Sequence, residues 1–148
     1  MYIDYDVTDR IATITLNRPE AANAQNPELL DELDAAWTRA AEDNEVSVIV
    51  LRANGKHFSA GHDLRGGGPV PDKITLEFII QHEAKRYLEY TLRWRNVPKP
   101  SIAAVQGRCI SGGLLLCWPC DLIVAADDAQ FSDPVVLMGI GGVEYHGH

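Results

Sequence analysis

The sequence predicts an α/β domain, and three observations carry that prediction. Short apolar runs rich in β-branched residues recur along the chain. Between them stand stretches whose apolar residues repeat at helical spacing. Several of the runs, residues 46–51 and 101–105 among them, have few polar positions, as strands covered on both faces do. At 148 residues the chain holds at most one domain, spanning 1–148. The 46% of hydrophobic residues is enough for a sizeable core.

Each element follows from local chemistry. Residues 2–7 and 10–16 are short β-type runs around Thr8-Asp9-Arg10, which predicts a hairpin. Pro19 ends the second strand because it cannot donate to a ladder. Asn26-Pro27 opens a helix, with Asn26 as cap, Pro27 at the first position, and Glu28, Asp31 and Glu32 at the positive end. Leu29, Leu30, Leu33, Ala36, Trp37, Ala40 and Ala41 form its core stripe. A strand at 46–52 empties into the turn Ala60-Gly61-His62-Asp63-Leu64, where Asp63 is placed to cap a following helix. Residues 66–72 read as a loop, and 73–95 as a long helix with Ile74, Phe78, Ile79, His82, Tyr87, Leu88 and Leu92 near one face. Pro98 and Pro100 terminate it. A strand at 101–105, the turn Ser111-Gly112-Gly113, an apolar run 114–118 and a last strand at 121–126 complete the pattern.

Charge narrows the partners. The net charge is −8 with no Lys/Arg cluster, which predicts no nucleic acid and no anionic membrane partner. No apolar run approaches the length of a membrane span. The first residues lack the basic and apolar regions of a secretory signal, and three cysteines fit a reducing compartment. Cytoplasm is the expected location.

The two glycine-bearing turns carry the chemistry. Gly61 permits positive φ or close approach by another molecule. Backbone N–H groups at a helix start carry partial positive charge and lack intrahelical partners. Two such turns, if adjacent, would offer two donors to one oxygen, which suits a thioester carbonyl becoming an enolate. The sequence does not place them side by side.

Several blocks together resemble the enoyl-CoA hydratase/isomerase (crotonase) family. They are Leu16-Asn17-Arg18-Pro19-Glu20 with Asn23-Ala24, Phe58 to Leu64, Pro98 to Gly107, Ser111-Gly112-Gly113, Cys120-Asp121 and Ala129-Gln130-Phe131-Ser132. The resemblance covers essentially the whole chain but reaches only the N-terminal part of a family member. It implies a crotonase-like spiral of ββα units lacking the C-terminal helices, assembly as a homotrimer or dimer of trimers, and an acyl-CoA thioester ligand. No cofactor is implied beyond the CoA carried by the substrate. Carried over by position, the oxyanion donors are the backbone N–H groups of His62 and Gly112. Ala60 falls where the backbone meets the adenine end of CoA, with Asp63 and Leu64 on the same wall.

The departures from the family pattern limit the reaction. Hydratases of this family use two glutamates, and this chain has Leu115 and Val135 at those positions. Neither side chain can transfer a proton. An acid used by isomerase-like relatives falls near Glu144, with Asp133, Tyr145 and His146 as further polar candidates. The expected functions are therefore an acyl-CoA lyase or isomerase of fatty-acid type, a decarboxylase or hydrolase relative, or an acyl-CoA binding protein without turnover. A fragment inactive by itself is the third outcome.

Other motifs are set aside. Cys117-Trp118-Pro119-Cys120 has redox spacing but follows an apolar helix, whereas a reactive pair belongs at a helix start. His57, His62, His146 and His148 are too scattered to predict a metal site. Gly139-Ile140-Gly141-Gly142 is half of a dinucleotide fingerprint and lacks its acidic partner.

Overall fold

The computed structural model describes residues 1–65, 75, 77 and 80–138. Strand β1 (Ile3–Thr8) and strand β2 (Ile11–Leu16) form the expected hairpin, antiparallel from Ile3↔Leu16 to Thr8↔Ile11. Asp9 and Arg10 turn the chain at φ 51° and 64°, the left-handed pair that a two-residue hairpin turn demands. On β2, Ala12, Ile14 and Leu16 are fully buried.

Helix α1 (Pro27–Glu42) starts as its sequence dictates, with Asn26 Oδ1 accepting the Leu29 N–H at 2.9 Å. Its buried face is Leu29, Leu30, Leu33, Ala36, Trp37 and Ala40, while Ala41 is only half-buried. Lys99 Nζ closes the other end by donating to the carbonyls of Ala40 (2.7 Å) and Asp43 (2.6 Å). Strand β3 (Val48–Ala53) then lies parallel to β2, from Ile11↔Val48 to Leu16↔Ala53.

The long helix differs from its expected pattern. A π-helical stretch, Ile80–Glu89, leads into helix α2 (Tyr90–Arg95). The buried positions are Tyr87, Tyr90, Thr91 and Trp94, whereas Leu92 is 38% exposed. Wider i→i+5 winding rotates the side chains away from 3.6-residue spacing, so the inward face drifts from the expected stripe. Ile74, Phe78, Ile79 and the side chain of His82, also expected there, lie outside the described residues, as does the whole 66–72 loop.

Strand β4 (Ser101–Val105) pairs parallel to β3. Two short strands that the sequence pattern did not reveal follow, β5 (Arg108–Ile110) and, later, β7 (Gln130–Ser132), which pair parallel as a separate small sheet. Helix α3 (Gly112–Cys117) and strand β6 (Leu122–Ala125) lie between them. A 3-10 turn, Pro134–Met138, ends the described chain. The main sheet has the order β1-β2-β3-β4-β6. Asp121 ties its edge to β4: Oδ2 accepts from the N–H (2.7 Å) and hydroxyl (2.9 Å) of Ser101.

The core joins β2, β3 and α1 to the π/α segment. Trp37 and Trp94 stack with ring centroids 5.9 Å apart. Asp31 accepts from Arg86 and from the Tyr90 hydroxyl, and Asp34 from Arg93 and Trp94 Nε1, so one turn of α1 is pinned to that segment. Strand β6 breaks the expectation of strands covered on both faces: Leu122 and Val124 are 61% and 60% exposed.

Candidate functional site

The loop after β3 is fixed by one buried side chain. Asn23 Nδ2 donates to the carbonyls of Asn54 and His57, both at 2.9 Å, while its Oδ1 accepts the Arg18 N–H. Asn23 itself sits at φ 52°, a region asparagine tolerates. Ala60 N–H then reaches Ala22 O (2.9 Å), and Ser59 Oγ–H reaches Asn23 O (2.9 Å). The segment 22–25 therefore runs beside 59–63 like a short strand pair.

That pairing decides how His62 is presented. Gln25 N–H bonds to Gly61 O (2.8 Å), and Asp63 N–H bonds to Gln25 O (2.9 Å), a parallel bridge across His62. Such a bridge uses the residues flanking His62, so the N–H of His62 itself points to the opposite side. The imidazole stacks on Tyr87, with centroids 4.3 Å apart and planes 25° from parallel.

The second turn lies against the first. Ser59 bridges Cys109, through Ser59 N–H to Arg108 O (3.1 Å) and Ile110 N–H to Ser59 O (3.0 Å). Gly61, at φ 87°, packs so closely that a Cβ there would stand 2.7 Å from Ile110 O and 3.2 Å from Gly112 N. Gly112 is the first residue of α3, behind Ser111 at φ 50° and ψ −117°. A positive φ on serine is the kind of local strain that surrounding structure must enforce. The two glycine turns that the sequence left unplaced are thus neighbours in space.

The remaining expected residues divide. Ala60 and Leu64 are exposed, Leu64 at 81%. Asp63 caps no helix among the described residues. Its Oδ2 instead accepts from Arg18 Nη1 at 2.5 Å and its Oδ1 from Arg65 N–H at 2.9 Å. The reason is the 22–25 segment, which brings Arg18 to the carboxylate. Leu115 is 1% exposed and belongs to the core, and Val135 is half-buried. Asp133 lines a groove of about 460 Å³ with Leu114, Trp118, Ile123 and Phe131, on which neither His62 nor Gly112 borders. Glu144, Tyr145, His146, His148 and the 139–142 glycine run lie outside the described residues.

Sequence reasoning missed Gln25 and Ser59 as parts of this cluster and placed Tyr87 only on the inward face of the long helix. A polar Gln25 set directly before a helix cap was the available signal, and it needed the neighbouring loop to have meaning.

Cys109 and Cys120 are poor nucleophiles. Cys117 closes α3, and its Sγ lies 3.8 Å from Cys109 Sγ. The hydrogen bond shared with Cys117, together with burial, pushes the Cys109 thiol far up. Burial, with Cys117 and Asp121 nearby, pushes Cys120 up to about 12. Among the described residues no three His, Cys, Asp or Glu side chains gather to hold a metal, and no helix is long and apolar enough to cross a membrane.

An antiparallel hairpin continued by parallel strands, with helices between them, is the α/β fold that crotonase-type structures share with this chain. The family model for enoyl-CoA hydratase/isomerase matches residues 6–144, and the chain belongs to that family. It is 45% identical to a Mycobacterium tuberculosis protein named "Putative enoyl-CoA hydratase EchA13", over 99% of this chain and 52% of that protein. It is also 32% identical to the (E)-benzylidenesuccinyl-CoA hydratase of Thauera aromatica, over 97% of this chain and 56% of the relative. A "probable enoyl-CoA hydratase" from Mycobacterium smegmatis, known as a crystal structure, superposes with a TM-score of 0.93 at 87% identity, over 100% of this chain and 58% of that one. The chain thus spans about half the length of the relatives it matches.

Proposed function

We propose that this chain binds an acyl-CoA thioester and stabilises its enolate between the backbone N–H groups of His62 and Gly112. The observation that supports this most is the packing of Gly61 against Gly112 N, which sets the two turns against each other. The bridge to Gln25 turns the His62 N–H away from its neighbours' bonds, and Gly112 N is the first amide of a helix. Preorganised donors of this kind act by stabilising charge that develops in the transition state. Exposed Ala60 and Leu64, with Asp63, form the wall for the CoA moiety, and CoA enters as part of the substrate. Catalysis in a cytoplasmic homotrimer or dimer of trimers completes the reading.

Hydration by paired glutamates does not fit, because Leu115 is buried in the core and Val135 carries no proton. Lyase, isomerase, decarboxylase or hydrolase chemistry through the same enolate remains, with Glu144 as one acid/base. The buried Leu115 also favours a second reading, an acyl-CoA binder without turnover.

Two substitutions at one position test the donor. Gly112→Ala keeps the N–H but adds a Cβ that meets Gln25 Oε1 at 2.8 Å. Gly112→Pro adds similar bulk and deletes the N–H, at the first helical position where proline is tolerated. On a panel of enoyl-, malonyl- and hydroxyacyl-CoA thioesters, kcat of Gly112→Pro should fall about 10²–10³-fold below that of Gly112→Ala. Equal rates would sink the proposal. Calorimetric binding with no product from any thioester would favour the second reading.

A further inference from the structure

Gln25 is 3% exposed, and its amide can be oriented from its neighbours. Ser59 has one hydroxyl proton, which goes to Asn23 O at 2.9 Å. Ser59 Oγ is left as an acceptor, filled by Gly61 N–H at 3.2 Å and by Gln25 Nε2–H at 3.1 Å. The amide nitrogen must therefore face Ser59, and the carbonyl oxygen must face away from it. Gln25 Oε1 has no donor among the described residues. A buried acceptor left in that state bears its full desolvation penalty, which calls for an explanation.

What Oε1 faces supplies one. A Cβ built on Gly112 would lie 2.8 Å from Gln25 Oε1 and 2.9 Å from His62 Nδ1. The oxygen and the ring nitrogen thus both lie over the bare α-carbon of Gly112. Tyr87 meanwhile holds the face of the imidazole.

We propose that Gln25 is a positioning residue for His62. Its Oε1 accepts Nδ1–H, which fixes the neutral imidazole in one tautomer and leaves Nε2 as the proton acceptor. Which tautomer a histidine adopts is set by the hydrogen bond its other nitrogen makes. The arrangement gives the site a base that Leu115 and Val135 cannot provide. Only this last step rests on the acyl-CoA reading; the tautomer stands apart from it.

Long-range proton–nitrogen correlation spectra of protein labelled with nitrogen-15 histidine test it, at a pH where the imidazole is neutral. A His62→Asn variant assigns the signals. Wild-type His62 should show a protonated Nδ1 and a bare Nε2. Gln25→Leu, of similar volume but without an acceptor, should move the ring to the Nε2–H form, and Gln25→Glu should restore Nδ1–H. An Nε2–H tautomer in the wild-type protein overturns the proposal whether or not the variants fold. So does a tautomer unmoved in a folded Gln25→Leu protein. On a thioester that the wild type turns over, Gln25→Leu should lower kcat about a hundredfold with KM unchanged, and Gln25→Glu should recover part of it. The spectra need no substrate, so the tautomer can be assigned even if the acyl-CoA reading fails.

Discussion

Arg18 and Asp63 meet with side chains only 16% and 6% exposed, and Arg18 Nη1 also donates to Ala24 O at 2.9 Å. The pair locks the 22–25 segment to the 60–63 turn, so its loss should loosen the site as well as the fold. Asp63→Asn leaves a largely buried guanidinium without its countercharge, which costs about 3 kcal/mol. Glu45→Gln breaks a pair with Arg10 whose side chains are 56% and 81% exposed, and should cost under about 0.5 kcal/mol. Urea unfolding of both variants checks the contrast. The carboxylate also shows where residue-level reading stops. Asp63 before an open segment reads as a cap, and only the return of Arg18 across 45 positions reveals the ion pair. Gln25 escaped for the same reason, since its meaning lies in Ser59 and Gly112, far along the chain.

At the scale of elements, α1 and the π/α segment form the best-defined contact. Both tryptophans are buried, yet they are not equivalent. Trp94 Nε1 donates to Asp34 at 3.0 Å, whereas Trp37 Nε1 has no acceptor among the described residues. Trp94→Phe should therefore lower stability by about 1 kcal/mol more than Trp37→Phe, as read by thermal denaturation. Asp31 links the same elements and responds to pH. Burial works to raise its pKa, but hydrogen bonds from Arg86 and Tyr90 outweigh burial, and the group lies below its ordinary 3.8. Its contribution to stability is thus complete above about pH 5 and is lost as pH falls through 3.8 and below. Asp31→Asn should flatten the acid limb of the melting-temperature profile between about pH 5 and pH 2, and an unchanged limb would count against this linkage. Helix α1 was legible because cap, first-turn proline, acidic start and stripe all agree. The second helix was legible in its presence and its end at Arg95, but not in its whole inward face, since a 3.6-residue stripe does not describe a stretch wound as a π-helix.

For the whole molecule, the β6 edge of the main sheet is exposed among the described residues. Leu122, Ile123 and Val124 on β6, with Phe131 on β7, are 41–61% exposed beside the groove under Trp118. Contiguous apolar surface on an edge strand invites association. The 148-residue chain should bind an apolar fluorescent dye in its folded state and sediment above monomer mass. Replacing Leu122 and Val124 with lysine should reduce both signals, and a dye-silent monomer would contradict the prediction. Fold class and the succession of main-sheet strands along the chain were readable from apolar runs separated by helical spacing. The small β5–β7 sheet was not, because three-residue strands carry no periodicity. The meeting of the two glycine turns was hidden too, for it depends on backbone bridges that no pattern announces.

The strand order has a consequence for how the chain is made. Each strand of the main sheet pairs with the one completed before it, so the sheet grows outward in the direction of synthesis. The β1–β2 hairpin closes over the shortest loop and can form first. Every later strand needs a crossover before it pairs, and β3, β4 and β6 can be added one at a time as the chain emerges. A ribosome-bound intermediate would then always present a single growing edge, and its newest strand would be the one most in need of a companion.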